Sequence, residues 1–225
     1  MDPATPTPAH LSAEELAEHD RVVAALTGAT RELAEAQALT EVDLDEAAAV
    51  TQEIEALTAR LRASARGGPL GAELGPDGTT IRNHGNTVTG LRNPIAVFTA
   101  EHRRVDEEKH VHVDVDLGAL YEGPPGLVHG GVSALLLDQL LGESAAVGGG
   151  PGMTARLTLH YRRPTPLGPL HLEGWLESSE GRKSVVRGEI RDPDGRVTVE
   201  AEGLFVLPSW AAEHPAWKGR QQSFE

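Results

Sequence analysis

From Gly130 to Gly142 the chain reads Gly-Gly-Val-Ser-Ala-Leu-Leu-Leu-Asp-Gln-Leu-Leu-Gly, a helix with apolar or small residues on almost every face. A helix apolar all round is a buried helix, so the rest of the fold has to enclose it. Its only ionisable side chain is Asp138. A lone carboxylate in such surroundings is costly and demands partners or a shifted proton affinity. Period-two alternation elsewhere supplies the enclosure. Val111, Val113, Val115 and Leu117 alternate with His112, Asp114 and Asp116, and further strands read at Met153 to Tyr161, Leu170 to Glu177, Ser184 to Arg191 and Val197 to Val206. Asp192-Pro193-Asp194-Gly195 closes the last two into a hairpin. A less regular strand is expected around Ile95 to Val105. The expected class is α+β, a curved antiparallel sheet wrapped around one central helix, with a helical extension ahead of it.

That extension opens on Ser12-Ala13-Glu14-Glu15, a capping-box pattern followed by Leu16, Val22, Val23, Leu26 and Leu33, with Gly28 weakening the middle. Asp43-Leu44-Asp45-Glu46 starts a second helix whose Val50, Ile54, Leu57 and Leu61 form one narrow stripe. Read plainly, the two make a solvated hairpin with a structural role. Glycine, proline and asparagine crowd the next stretch. The expected division is a helical extension over 1–66, a linker or loop over 67–93, the main domain over 94–207 and a tail over 208–225.

Composition narrows the partners. The net charge of −14 argues against nucleic acid, which needs a basic face. Residues 1–66 hold 5 Lys or Arg and 13 Asp or Glu, a net −8, which leaves −6 for residues 67–225. The basic residues gather in the second part, at Arg162, Arg163, Arg182, Lys183 and Arg187, so a local patch for a phosphorylated ligand is compatible with the acidic total. The chain has no cysteine, which removes disulfides, thiolate metal ligands and a cysteine nucleophile. No apolar run reaches membrane-spanning length, and the first residues lack a basic stretch leading into an apolar one. The expectation is a cytoplasmic protein without membrane insertion.

Gly126-Leu127-Val128-His129-Gly130-Gly131 leads into the apolar helix and leaves backbone N–H groups bare at its positive end. An anion-holding helix start and an acid on the same helix point to acyl-transfer or hydrolytic chemistry. The N–H groups of Gly130 and Gly131 are expected to hold a carbonyl oxygen as its charge develops, and glycine there permits close approach. Asp138 is expected to activate water or to attack the carbonyl itself. Thr154, at the start of the next strand, would hold the water or the carboxylate. His129 would bond near the carbonyl or fix the loop. Gly130 and Asp138 are eight residues apart, about 12 Å along the axis, and His129 and Asp138 project to nearly opposite sides. Reacting groups must lie within about 3.5 Å of one another. Two copies of the helix must therefore meet, the start of one beside the acid of the other, which predicts a symmetric dimer with two shared sites.

Each residue also has a plainer reading. Asp138 fits a loop cap or a buried ion pair, His129 a packing role, Thr154 an ordinary strand position and Gly130-Gly131 a turn; their combination favours a site. The Arg162-Arg163 and Gly181-Arg182-Lys183 cations fit phosphate binding and simple solvation equally. His110 and His112 share one strand face, but with no third ligand at regular spacing an exposed polar face explains them better, and no metal is expected. There is no Gly-x-Ser-x-Gly elbow and no dinucleotide or P-loop fingerprint.

The run Tyr121-Glu122-Gly123-Pro124-Pro125-Gly126-Leu127-Val128-His129-Gly130-Gly131, with Asp138 seven residues beyond the second glycine, resembles the hotdog-fold thioesterases of the phenylacetate-degradation (PaaI-like) type. Met153 to Leu167 is similar to that family's strand leading into an Arg-Pro-x-Pro-Leu turn, and Glu180-Gly181-Arg182-Lys183 and Asp194-Gly195 keep the spacing, so the resemblance covers roughly residues 94–207. It implies hydrolysis of acyl-coenzyme A thioesters without metal or organic cofactor, at sites shared across a homodimer, with pairing into tetramers left open. By position it makes His129 and Gly130 the carbonyl-holding end, Asp138 the acid and Thr154 the hydroxyl that assists it. Gly131, Arg162, Arg163, Arg182 and Lys183 stand as candidate contacts to coenzyme A. Some relatives carry asparagine six residues before the histidine; here that position is Gly123, so carbonyl holding rests more on the Gly130 N–H. The helices before residue 67 lie outside the resemblance. A reading from a different class is a non-catalytic acyl-CoA-binding or scaffold protein on the same fold. A hydratase is disfavoured, because no Asp-x-x-x-x-His pair lies at a helix start.

Overall fold

The computed structural model describes residues 7–8, 11–77, 81–98 and 102–209. Of the expected tail, residues 210–225 fall outside these. Three short strands, β1 (Thr7–Pro8), β2 (Glu73–Leu74) and β3 (Ile81–Arg82), form a small sheet of their own. The alternating segments form a six-stranded antiparallel sheet from β4 (Arg103–Val105), β5 (Val111–Leu117), β6 (Met153–Tyr161), β7 (Gly168–Glu180), β8 (Lys183–Arg191) and β9 (Val197–Val206). The spatial order is β4-β5-β7-β8-β9-β6, which leaves β6 at an edge. Alternation puts Val111, Val113, Val115 and Leu117 of β5 in the core and leaves His112, Asp114 and Asp116 on the other face. Of the stretch expected as a strand over 95–105, residues 99–101 lie outside the described residues, and among the described ones the strand is Arg103–Val105. Asn93 accepts from the N–H groups of Ile95 and Ala96, which turns the chain there and spends the donors a strand needs.

The apolar helix is α3 (Gly130–Val147), one turn longer than expected and packed across one face of the sheet. Leu136, Leu137, Leu140 and Leu141 are fully buried against it. A row of small residues lets the helix sit close. Gly174 pairs with Gly188 across β7 and β8, and Gly188 faces Ala201 on β9. A methyl at Gly174 would lie 2.6 Å from Ser144 Oγ, and one at Gly188 would lie 2.9 Å from Leu141 Cδ2. The enclosure expected from the helix composition is incomplete in one chain. The sheet covers one side only, so Leu135 keeps 36% of its surface, Gly131 is exposed and Asp138 is half-buried. Beside them β6 is exposed along most of its length, with Met153 at 61% and Tyr161 at 56%.

The extension begins as its caps predict. In α1 (Ala13–Leu39) the Ser12 Oγ accepts the Glu15 N–H and the Glu15 carboxylate accepts the Ser12 N–H, and the helix runs unbroken through Gly28. Arg31 donates to the carbonyls of Pro94 and Ala96 at 3.0 and 2.8 Å, and the Ala119 N–H donates to Glu35, which holds α1 on the main unit. By contrast α2 (Leu44–Arg62), capped by Asp43, buries none of its residues. The stretch expected as linker carries the β2–β3 hairpin and sends Val88 into the core, where Phe98 joins it.

Candidate active site

The start of α3 is built by its own side chain. His129 is the N-cap, and its Nδ1 accepts the Gly131 N–H at 3.0 Å. An accepting Nδ1, assigned from that bond, puts the proton of the neutral ring on Nε2, which is then a donor. The Gly131 N–H, expected to share in carbonyl holding, is therefore spent inside the loop. The Gly130 N–H has no acceptor among the described residues, so it is the bare backbone donor at the positive end of the helix. The preceding loop is tightly tied. The His129 N–H donates to the Tyr121 carbonyl at 2.9 Å, and Glu122 accepts the Gly126 N–H at 2.6 Å. Tyr121 donates its hydroxyl to the Ile95 carbonyl, and burial raises its pKa, so the phenol stays protonated. A Cβ at Gly123 would fall 2.7 Å from His129 Cα. This packing accounts for glycine at that position: any side chain there displaces the histidine.

Two turns along, Asp138 Oδ1 accepts the Thr154 hydroxyl at 2.8 Å. The threonine thus orients the carboxylate. Next to it, Gln139 accepts from Asn86 at 3.0 Å and donates to Glu143 at 2.9 Å. Asn86 comes from the expected linker, and nothing in its local sequence marks it as a neighbour of the acid.

The edge strand β6 touches both halves of this arrangement. Thr154, its second residue, stands beside Asp138, and Tyr161, its last, donates its hydroxyl to the Gly130 carbonyl at 2.8 Å. Seven residues of strand separate them, about 23 Å at roughly 3.3 Å per residue. In one chain Asp138 and the start of α3 do not meet.

Comparison with known proteins gives this geometry a context. A family model described as the thioesterase superfamily matches residues 125–199. A crystal structure of a thioesterase superfamily protein aligns with 90% of this chain and 97% of its own, at 35% sequence identity and a TM-score of 0.71. The chain belongs to the thioesterase superfamily. Its sheet around α3 is the hotdog fold. The unaligned tenth of the chain is shorter than residues 1–66, so that superfamily relative shares part of the helical extension. Acyl-coenzyme A thioesterase THEM4 of Xenopus laevis is 40% identical over 91 residues, 40% of this chain and 41% of that protein. Its namesake in Bos taurus is 37% identical over 91 residues, 40% and 37% of the two chains. The chain spans about two fifths of the length of these curated relatives.

The candidate coenzyme A cations of this superfamily member lie at two ends of the sheet. Arg162 is paired with Glu200 at 2.8 Å, while Arg163 donates to the Val197 carbonyl and lines a cavity of about 690 Å³ with Pro166, Asp192 and Arg196. Arg182 donates to the Leu207 carbonyl, and Lys183 follows it at the start of β8, in register with Glu180. The backbone N–H groups of Arg162 and Arg163 bond Thr198, and the Arg182 carbonyl bonds Leu207, nine residues on. That is about 30 Å along β9, too far for one chain to bring all four cations to one phosphate.

Proposed function

We propose that the chain hydrolyses acyl-coenzyme A thioesters at two sites formed where a symmetric homodimer pairs β6 with the β6 of its partner. The observation that carries the reading is the placement of the two half-sites at opposite ends of one exposed edge strand. Antiparallel pairing of two such edges sets Asp138 and Thr154 of one protomer beside the partner's Gly130 and the partner's His129, and does so twice. An open strand edge is otherwise a liability, and the same pairing covers Leu135, Met153 and Tyr161. It also brings Arg163 of one protomer to the same end of the dimer as the partner's Arg182, where coenzyme A phosphates would lie. Among the described residues no helix is long and apolar enough to cross a membrane, and the setting proposed is the cytoplasm.

In this arrangement the thioester oxygen accepts from the Gly130 N–H and the His129 Nε2–H. Thr154 occupies one oxygen of Asp138 and leaves the other to take a proton from water as that water attacks the carbonyl carbon. The charge that gathers on the oxygen meets the positive end of α3. Collapse breaks the C–S bond, the proton passes from Asp138 to the departing thiolate, and free acid and coenzyme A leave.

Thiol release measured across short, long and aromatic acyl-CoAs tests this. Wild type turns over at least one of them, and Asp138→Asn, which keeps an acceptor for Thr154 but loses the base, is slower by about 10²–10⁴-fold. Absence of turnover above background by wild type contradicts the reading. Tight acyl-CoA binding unchanged by Asp138→Asn then makes the chain a non-catalytic binding protein.

A further inference from the structure

The outer face of the sheet, opposite α3, carries a second cluster that thioester hydrolysis does not use. Strand pairing sets His112 opposite Glu173 and Asp114 opposite His171 across β5 and β7, while Asp106 and His110 come from the turn between β4 and β5. The sequence displays His110 and His112 as a pair. His171 stands 59 positions from His112 and reaches it only through the sheet.

Hydrogen bonds fix the rings. Asp114 Oδ1 lies 2.7 Å from His171 Nδ1, and Asp106 Oδ2 lies 3.0 Å from His112 Nε2. Aspartate carboxyls are ionised at neutral pH and can only accept. Each carboxylate therefore takes the N–H of its ring. That leaves His171 Nε2 and His112 Nδ1 without protons, 3.4 Å apart. Two acceptors at that separation need something positive between them, either an extra proton or a metal ion. The distance matches a metal. Two nitrogens bound to one tetrahedral zinc at about 2.0–2.1 Å each are about 3.4 Å apart. One ligand atom each from His112, His171 and Glu173 all lie within 4.8 Å of one another. Glu173 Oε1 is held by His110 Nδ1 at 2.8 Å, and the His110 ring is stacked on Trp175; a carboxylate keeps further lone pairs beyond one such bond.

We propose that this face binds one divalent transition-metal ion of the zinc class through His112, His171 and Glu173, with Asp106 and Asp114 orienting the two imidazoles. Two neutral imidazoles and a carboxylate, with one position open to water, are a donor set zinc accepts. Carboxylates that take the second N–H of ligand histidines commonly orient such sites. The side chains remain 18%, 32% and 23% exposed for His112, His171 and Glu173, so an ion can enter from solvent. The chain's net charge of −14 favours its arrival.

The test uses the full untagged chain after dialysis against chelator, titrated with zinc chloride by calorimetry and with Co²⁺ followed by its visible spectrum. One zinc per chain and the intense bands of four-coordinate Co²⁺ are expected. His171→Gln and Glu173→Gln lose both signals, and Asp114→Asn, which keeps every ligand, weakens zinc by about 10–100-fold. Wild-type affinity equal to that of the His112→Gln/His171→Gln double variant overturns the proposal and leaves a shared proton in the gap. Loss on His110→Gln with no effect of His171→Gln also overturns it, because the ion then sits on the neighbouring Asp106, His110 and His112 group.

Discussion

His129 spends its Nδ1 on the Gly131 N–H, and that bond determines which donors the start of α3 offers to a carbonyl. Gly130 is left as the backbone donor, at the first helical position. Proline is tolerated there because its missing N–H has no helical partner to lose. The preceding His129, at φ −61° and ψ 131°, already has the extended conformation a residue before proline requires. Gly130→Pro therefore removes that donor, sets a ring carbon where its hydrogen was, and brings a Cβ into ordinary contact with Tyr161 at 3.4 Å. It is expected to melt close to wild type and to lower kcat by about 10²–10³-fold in a thiol-release assay, the usual cost of one such donor. One contact was legible in the sequence: a lone carboxylate on an apolar helix and a hydroxyl opening the next strand are hydrogen-bonded. The fate of the Gly131 N–H was not, because it depends on the rotamer of the histidine that caps the helix.

Among the elements, the contact of α3 with the row Gly174, Gly188 and Ala201 decides how closely the helix lies on the sheet. A methyl at Gly188 meets both Leu141 and, at 2.7 Å, the Glu173 carbonyl oxygen, which is backbone and cannot swing away. Gly188→Ala is expected to destabilise the fold by about 1–3 kcal/mol, the range for overpacking a core, read as a lowered denaturant midpoint at unchanged slope. Strand positions were legible because one apolar face imposes period two, and β5, β6 and β9 begin and end where alternation begins and ends. The exposed stripe of α3 was not, since composition signals that a helix is to be covered without saying by which chain. The approach of His171 and Glu173 to His112 was hidden for a related reason, since a cross-strand register is not written in either strand alone.

Across the whole molecule, contacts distant in sequence tie the extension and the 67–98 segment to the hotdog unit. Arg31 reaches Pro94 and Ala96, Asp20 pairs with Arg82, and Asn86 reaches Gln139 beside the acid. Glycine-rich composition marked this stretch as a connector, and single buried residues such as Val88 leave no periodic trace. Each proposed site takes its acid from one protomer and its carbonyl-holding end from the other. Mixing Asp138→Asn with Gly130→Pro, unfolding them together and refolding them, tests this most directly. Shared sites predict that each mixed dimer contains one intact site, so random pairing restores about one quarter of wild-type thiol release from two inactive parents. Activity that stays at the average of the two parents, with mixed dimers demonstrably formed, contradicts the account.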